Sequence, residues 1–369
     1  MIKTLRFSFI HIFIFLVVAC SKKSDPTPSA PLYFPPTGSI TWETVTPASL
    51  GWNESAIPDL QTYLINSNTR AFIVLKDGKI AIEQYNGVQL TSGAFTSMSL
   101  WYWASAGKTL TSALVGIANA NGKVNFDAKT SDYLGTGWTS LTSAQENKIT
   151  VRHQLTMSTG LDDYNGGVTG DNDCTIPSCL IYKADPSTRW AYHTGPYTLL
   201  DGVIAASTGQ SLTSYLNDQI LSKIGMDGSF QKSGYNNVFY STPRSMARYG
   251  LLLLNKGVWN GTTIIPSSYF DLMTSSSQNL NPSYGYLTWL NGKSSYMTPG
   301  SQVSNNGPLT PNAPADMFAA MGKNGQLINV VPSMNLVVIR MGDSPTNTGL
   351  VPFTVQNDIW AKLNAIITM

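Results

Sequence analysis

The chain has 369 residues, enough for one large domain or two and for a sizeable buried core. Charged residues make up 12%, against about 25% in ordinary soluble proteins, and Ser, Thr, Asn and Gly supply the polarity instead. With 23 basic and 21 acidic residues and no basic stripe, the composition argues against a nucleic-acid partner.

At the N-terminus, Lys3 and Arg6 precede an apolar run over residues 7–19 that is too short to span a bilayer and reads as an export signal. The run ends Leu16-Val17-Val18-Ala19-Cys20 and resembles the bacterial lipobox, in which a cysteine after small residues is lipidated and becomes the new N-terminus. That resemblance implies a signal peptide over 1–19, lipidation at Cys20, and a protein held at the cell envelope, periplasmic or at the surface, by a lipid anchor in the membrane. Removal of 1–19 would take away two bases and no acid, leaving a formally neutral chain. Residues 20–39 contain Pro26, Pro28, Pro31, Pro35 and Pro36 without helical period and read as a tether, so the folded domain is expected over 40–369.

Ile57, Leu60, Tyr63 and Leu64 share one face of a helix predicted over 54–67. Strands are predicted over 71–75 and 80–84, joined by the turn Lys76-Asp77-Gly78-Lys79. A helix then opens at Ser105-Ala106-Gly107-Lys108, with Leu110, Leu114 and Ile117 at helical spacing and Asn121-Gly122 as its stop. Positions i and i+3 share a helix face, so the serine hydroxyl and the lysine amine can meet. The helix dipole favours developing negative charge at such a start, which is one way to activate a serine without histidine. On spacing alone, the alternative is an ordinary helix start with a solvated lysine. A second S-x-x-K, Ser229-Phe230-Gln231-Lys232, has a loop-like context and no helix after it.

The histidines are His11, His153 and His193, and His11 lies in the segment expected to be removed. No G-x-S-x-G turn matches His153, which reads as structural, and the scarcity of histidine favours a lysine or tyrosine base. Cys174 and Cys179 remain in an exported chain, where disulfides persist. Four intervening residues can close a small loop, so a disulfide is expected rather than a metal site, which would need more Cys or His nearby. Residues 246–254 are apolar enough for a buried helix, 326–331 and 336–340 read as a hairpin, and 355–367 as a helix. Strands at both ends around a helix-rich middle suggest one sheet assembled from both ends, with a helical insertion.

Five motifs now stand in order: Ser105-Ala106-Gly107-Lys108; the stretch 151–161; Trp190-Ala191-Tyr192-His193-Thr194 with Tyr197-Thr198-Leu199-Leu200; Ser241-Thr242-Pro243-Arg244; and Gly322-Lys323-Asn324-Gly325-Gln326. Their order and spacing resemble the serine β-lactamase-related hydrolases, within them the class C β-lactamase and family VIII esterase branch, and especially 6-aminohexanoate-dimer hydrolase-like enzymes. The resemblance covers nearly all of 40–369. It implies a mixed α/β fold, a β-lactamase/transpeptidase-like antiparallel sheet flanked by helices with a helical insertion. It implies hydrolysis of a small-molecule ester or amide through an acyl-enzyme, with no cofactor and no metal.

Carried onto this chain, the resemblance makes Ser105 the nucleophile, Lys108 its neighbour and Tyr192 the tyrosine of a Y-x-N-like motif. It gives the oxyanion hole to the backbone N–H groups of Ser105 and Lys323, and substrate contacts to Thr194, Gly322 and Gly325. Tyr215 and Tyr235 also begin Y-x-N but lack the surrounding motif, while Thr194 stands where asparagine is usual. The family's K-T-G or H-x-G motif has a decoy in Lys232-Ser233-Gly234, which precedes the Ser241 motif and is expected to lack a following hairpin. Its counterpart is Ala320-Met321-Gly322, where alanine replaces the cation that meets a substrate carboxylate. Lys323, next along the strand, is expected to face the other way. The missing cation argues against a dedicated β-lactamase or DD-peptidase, which remains the alternative, beside a non-catalytic envelope binding protein on the same scaffold.

Overall fold

The computed structural model describes residues 1, 31–164, 172–344, 351 and 353–367. The chain divides into two units, Met1–Pro31 and Leu32–Met369, and the architecture below belongs to the second. Cys20, the expected lipidation site, lies outside the described residues.

The strands that build the fold around the site are β1 (Thr69–Lys76), β2 (Lys79–Tyr85), β3 (Trp101–Tyr102), β4 (Ser229–Ser233), β5 (Asn236–Ser241), β6 (Trp289–Leu290), β7 (Phe318–Gly322), β8 (Gln326–Val331) and β9 (Leu336–Gly342). The helices are α1 (Ile57–Asn66), α2 (Lys108–Ala120), α3 (Leu200–Thr208), α4 (Pro243–Leu254) and α5 (Phe353–Ile366). One sheet runs β2-β1-β9-β8-β7-β6, with every neighbouring pair antiparallel. It is assembled from both ends of the chain, as the strand pattern implies. The β1–β2 turn uses Asp77 and Gly78 at φ 51° and 83°, the two left-handed residues that suit the twist of a tight hairpin.

Every residue of β7, β8 and β9 is buried, because helices cover both faces of the sheet. Adjacent residues of β8 report the two faces, since side chains alternate along a strand. Ile328 lies under α4, where a Cβ added to Gly250 would come within 3.2 Å of its Cγ2. Asn329 faces the other way and accepts a 2.9 Å hydrogen bond from the Trp360 indole of α5. The buried apolar helix read at 246–254 is α4, whose residues are buried apart from Arg244.

Three local readings need correction. The first helix is split, with a 3-10 turn over Glu54–Ala56 before α1. Residues 229–235, read as loop-like, belong to the β4–β5 hairpin, to which β3 adds as a third strand. Lys232 and Ser233 therefore end a strand, and Gly234 turns the chain at φ 59°. The strand signal was weak because β4 is half-buried to exposed throughout and shows no apolar alternation. Lastly, the compact unit begins at Leu32, so residues 32–39 of the expected tether belong to it. The Arg248 guanidinium holds them, donating to the carbonyls of Pro35, Pro36 and Ser39 at 3.2, 2.9 and 3.0 Å.

Gly250 sets how closely α4 approaches the sheet, since a Cβ there would lie 2.6 Å from Val337 Cγ1. Gly250→Val should cost about 1–3 kcal/mol by overpacking. Urea unfolding should show a lower midpoint at unchanged slope; an unchanged midpoint would mean that the helix shifts freely.

Candidate active site

The site begins with a strained turn. Ala104 takes φ 46°, a left-handed backbone that costs an L-residue on the order of 1–2 kcal/mol, and opens the 3-10 turn Ala104–Gly107 that runs into α2. The fully buried Trp103 steadies it. Its indole donates to Ser241 Oγ at 2.8 Å, its backbone N–H donates to the Phe239 carbonyl at 2.8 Å, and its ring meets Phe239 edge-on at 5.0 Å. From the other side comes the end of β7. A Cβ on Gly322 would lie 2.4 Å from the Trp103 carbonyl oxygen and 3.1 Å from the Ser105 nitrogen. Gly322 has an extended φ of −134°, so lack of space, not backbone conformation, demands glycine here.

Lys108 is the first residue of α2 and is 3% exposed. Its Nζ donates to Ser105 Oγ at 3.2 Å and lies over the rings of Tyr197 and Tyr192, at 4.1 and 5.3 Å from their centroids. Among the described residues it forms no ion pair. Burial pushes the amine down to about 7, against the opposing pull of Asp173 and Asp201. Tyr192 is also buried, stacked on Trp289 at 5.7 Å, and burial holds its phenol above the ordinary tyrosine value. A hydrogen bond with the Ser105 hydroxyl pulls that phenol the other way. Near neutral pH the phenol therefore keeps its proton while a large share of the amine has lost its own. Asp201, in the first turn of α3, is pushed up by burial to about 7 and accepts a hydrogen bond from Asn237 Nδ2.

Ser105, Lys108 and Tyr192 line one cavity of about 350 Å³, together with Thr194 and Lys323. β7 ends at Gly322, so the strand alternation behind the expectation for Lys323 stops before that residue, which is exposed and among those bordering the cavity. A buried arginine fixes this turn. Arg340 donates to the carbonyls of Asn324 and Gly325 at 2.8 and 2.7 Å, and to Ser67 O and Thr69 Oγ1 at 2.6 and 2.9 Å. Asn324 Nδ2 also donates to the Tyr102 hydroxyl at 2.7 Å. Gly325 thus faces Arg340, Gly322 sits beneath the Ser105 turn, and neither glycine is among the residues lining the cavity. Ala320 is buried within β7.

The competing residues lie elsewhere. His153 caps the helix Val151–Leu155, accepting the Thr150 N–H at Nδ1 at 3.0 Å, while its Nε2 meets Ser187 Oγ at 3.0 Å. Burial pushes both His153 and His193 down to about 4. Tyr215 is buried in the helix Leu212–Leu216, and the Tyr235 carbonyl accepts a hydrogen bond from Lys232 Nζ at 2.8 Å. Cys174 and Cys179 form the expected disulfide, with Cα atoms 6.0 Å apart. Sequence reasoning did not single out Asn172, Asp173, Tyr197, Asn236 and Asn237, all of which line the cavity. Tyr197 stands inside a recognised motif, and Asn236 and Asn237 complete the Y-x-N match at Tyr235 that lacks the surrounding motif; no local signal ties Asn172 and Asp173 to Ser105.

A family model described as Beta-lactamase matches residues 68–350. A Bacillus anthracis structure provisionally named 6-aminohexanoate-dimer hydrolase is 18% identical and covers 89% of this chain and 88% of its own, with a TM-score of 0.66. A penicillin binding protein from Bacillus halodurans is 15% identical, with coverage of 82% and 99% and a TM-score of 0.61. A family VIII carboxylesterase is likewise 15% identical, with coverage of 84% and 96% and a TM-score of 0.61. At these identities the structural likeness is one of fold.

Because the atom nearest a Cβ on Gly322 is backbone, no side chain can swing aside to make room. Gly322→Ala should destabilise the fold by about 1–3 kcal/mol. Urea unfolding should show the lower midpoint, and an unaltered midpoint would show that the turn tolerates displacement.

Proposed function

This chain belongs to the beta-lactamase family, a family of serine hydrolases, and from that membership we propose that it cleaves ester or amide bonds through an acyl-enzyme on Ser105. The observation that carries the reading is the buried Lys108 amine, 3.2 Å from Ser105 Oγ and lowered to about 7. A neutral amine there is a general base. As Ser105 Oγ attacks the scissile carbonyl, its proton passes to Lys108 Nζ. Tyr192 keeps its proton in the resting site and is suited to hand it to the leaving oxygen or nitrogen, recovering one from Lys108. Water then attacks the acyl-enzyme and regenerates the serine. The chain's own electrostatics thus favour lysine over a tyrosinate as the resting base, because burial disfavours charge on both groups, lowering the amine to about 7 while holding the phenol protonated.

The oxyanion is assigned to the backbone N–H groups of Ser105 and Lys323, two residues that border the same cavity. Thr194 is assigned to the substrate. Lipidation at Cys20 and residence at the cell envelope, anchored in the membrane, belong to the same proposal and rest on residues 1–20 of the sequence. One observation favours a second reading, a DD-peptidase or β-lactamase. Lys323 at the cavity could meet a substrate carboxylate in place of the cation missing at Ala320. A non-catalytic binding protein fits less well, since it would have no use for a buried amine held beside a serine with no ion pair among the described residues.

The reading is tested by a fluorophosphonate probe and by paired substrates. Ser105 should carry the label, Ser105→Ala should abolish both label and turnover, and short-chain p-nitrophenyl esters should be cleaved faster than nitrocefin or D-Ala-D-Ala peptides. Label on another serine would remove Ser105 from the mechanism, and the opposite substrate order would establish the second reading.

The base has its own signature. For an amine lowered to about 7, the reactive form grows as pH rises, so kcat/KM should climb through about pH 7 and level off above it. Lys108→Arg should lose about 10²–10⁴-fold together with that limb. Asp201, also raised to about 7, is the control: Asp201→Asn should keep the limb. A limb that vanished with Asp201 and survived in Lys108→Arg would shift the role to the carboxylate.

A further inference from the structure

Asn172 lies outside every motif described above, yet it grips the segment that carries Tyr192. Its Nδ2 donates to the Tyr192 carbonyl at 3.0 Å and to the Asp163 carbonyl at 3.2 Å. Its Oδ1 accepts the Thr194 N–H at 2.9 Å, and its backbone carbonyl accepts the Gly195 N–H at 2.9 Å. The side chain thus spans the backbone on both sides of residue 193, and both amide donors are spent on main chain. Packing reinforces the grip. A Cβ on Gly195 would come within 2.2 Å of the Cys174 carbonyl oxygen, so the two segments meet backbone to backbone. Cys174 is itself buried and covalently tied to Cys179.

The consequence falls on Tyr192. Its ring is wedged between Trp289, stacked at 5.7 Å, and Tyr284, edge-on at 6.1 Å, so the phenol has little freedom of its own. A rigid ring passes any shift of its backbone to its oxygen. We propose that Asn172, secured by the Cys174–Cys179 disulfide, is a positioning residue that holds the Tyr192 phenol in register with Ser105 and so sets the rate of acyl transfer. This rests on the role given to Tyr192 above.

A double-mutant cycle on the full chain tests it, with p-nitrophenyl butyrate as substrate and thermal melting to establish that each variant is folded. Asn172→Ala should lower kcat by about 10–100-fold, the cost of a misplaced catalytic group, with KM within about threefold. In a Tyr192→Phe background the same substitution should change kcat by no more than about twofold, because the group it positions is gone. Cys174→Ser combined with Cys179→Ser should reproduce part of the loss in the wild-type background and none in Tyr192→Phe. If Asn172→Ala does not fold, Asn172→Asp serves instead: it keeps the acceptor for Thr194 and loses both donors, so it should show an intermediate loss of kcat and the same dependence on Tyr192. Equal losses in both backgrounds, or a change in KM alone, would overturn the inference while leaving Tyr192 in its role. A Tyr192→Phe enzyme near the wild-type rate would overturn both.

Discussion

The site depends on one close approach, that of the sheet to the turn bearing Ser105. With no side chain at Gly322, β7 comes up against the Trp103 carbonyl and the Ser105 nitrogen, closer than any other residue would allow. The contact joins two parts of the chain that are more than two hundred residues apart in sequence, and both sides are stiff. Trp103 is fixed by Ser241 and Phe239, and the turn after β7 is fixed by the buried Arg340. Arg340 is expensive to bury, and its cost is offset by carbonyls and a hydroxyl that surround the guanidinium. The strained Ala104 backbone persists because its neighbours leave it no alternative.

Burial does the electrostatic work. An amine in water keeps its proton to high pH; enclosed by Tyr192 and Tyr197 with no ion pair among the described residues, Lys108 is held near 7. The same enclosure moves the Tyr192 phenol in the opposite direction along the pH scale, since its charged form is the deprotonated one. Burial thus disfavours the charged form of both groups, the ammonium of one and the phenolate of the other. Asp173 and Asp201 limit the effect by favouring the ammonium, so the amine is poised instead of being abolished as an acid. Such displacement of titrating groups by burial is common where chemistry occurs.

Charge at the cavity mouth is also a matter of chain geometry. Position 320 of β7 is a buried alanine, and Lys323, three residues further on, is an exposed residue bordering the cavity. It lies in the turn Lys323–Gly325, beyond the end of the strand. An ammonium on an exposed side chain is well hydrated and screened, so it holds a carboxylate more weakly than a buried, preorganised one.

Much of this was legible in the residues themselves. Local periodicity located α1, β1, β2, α2 and the β8–β9 hairpin, because an amphipathic or alternating pattern is written into adjacent positions. The i, i+3 spacing already brought Ser105 and Lys108 together, since a helix start translates that spacing directly into proximity. The Cys174–Cys179 pairing followed from a short loop for the same reason. What tertiary structure alone decided was everything that depends on which distant segments meet. Hairpin β4–β5 formed on an edge with no apolar alternation, and Lys323 came to border the cavity beyond the end of its strand. Asn172 reached the site from a segment without a motif, and the lowered pKa of Lys108 came from enclosure. Sequence spacing determines contacts within a turn or two of the chain; burial, and the chemistry that burial confers, is a property of the packed whole.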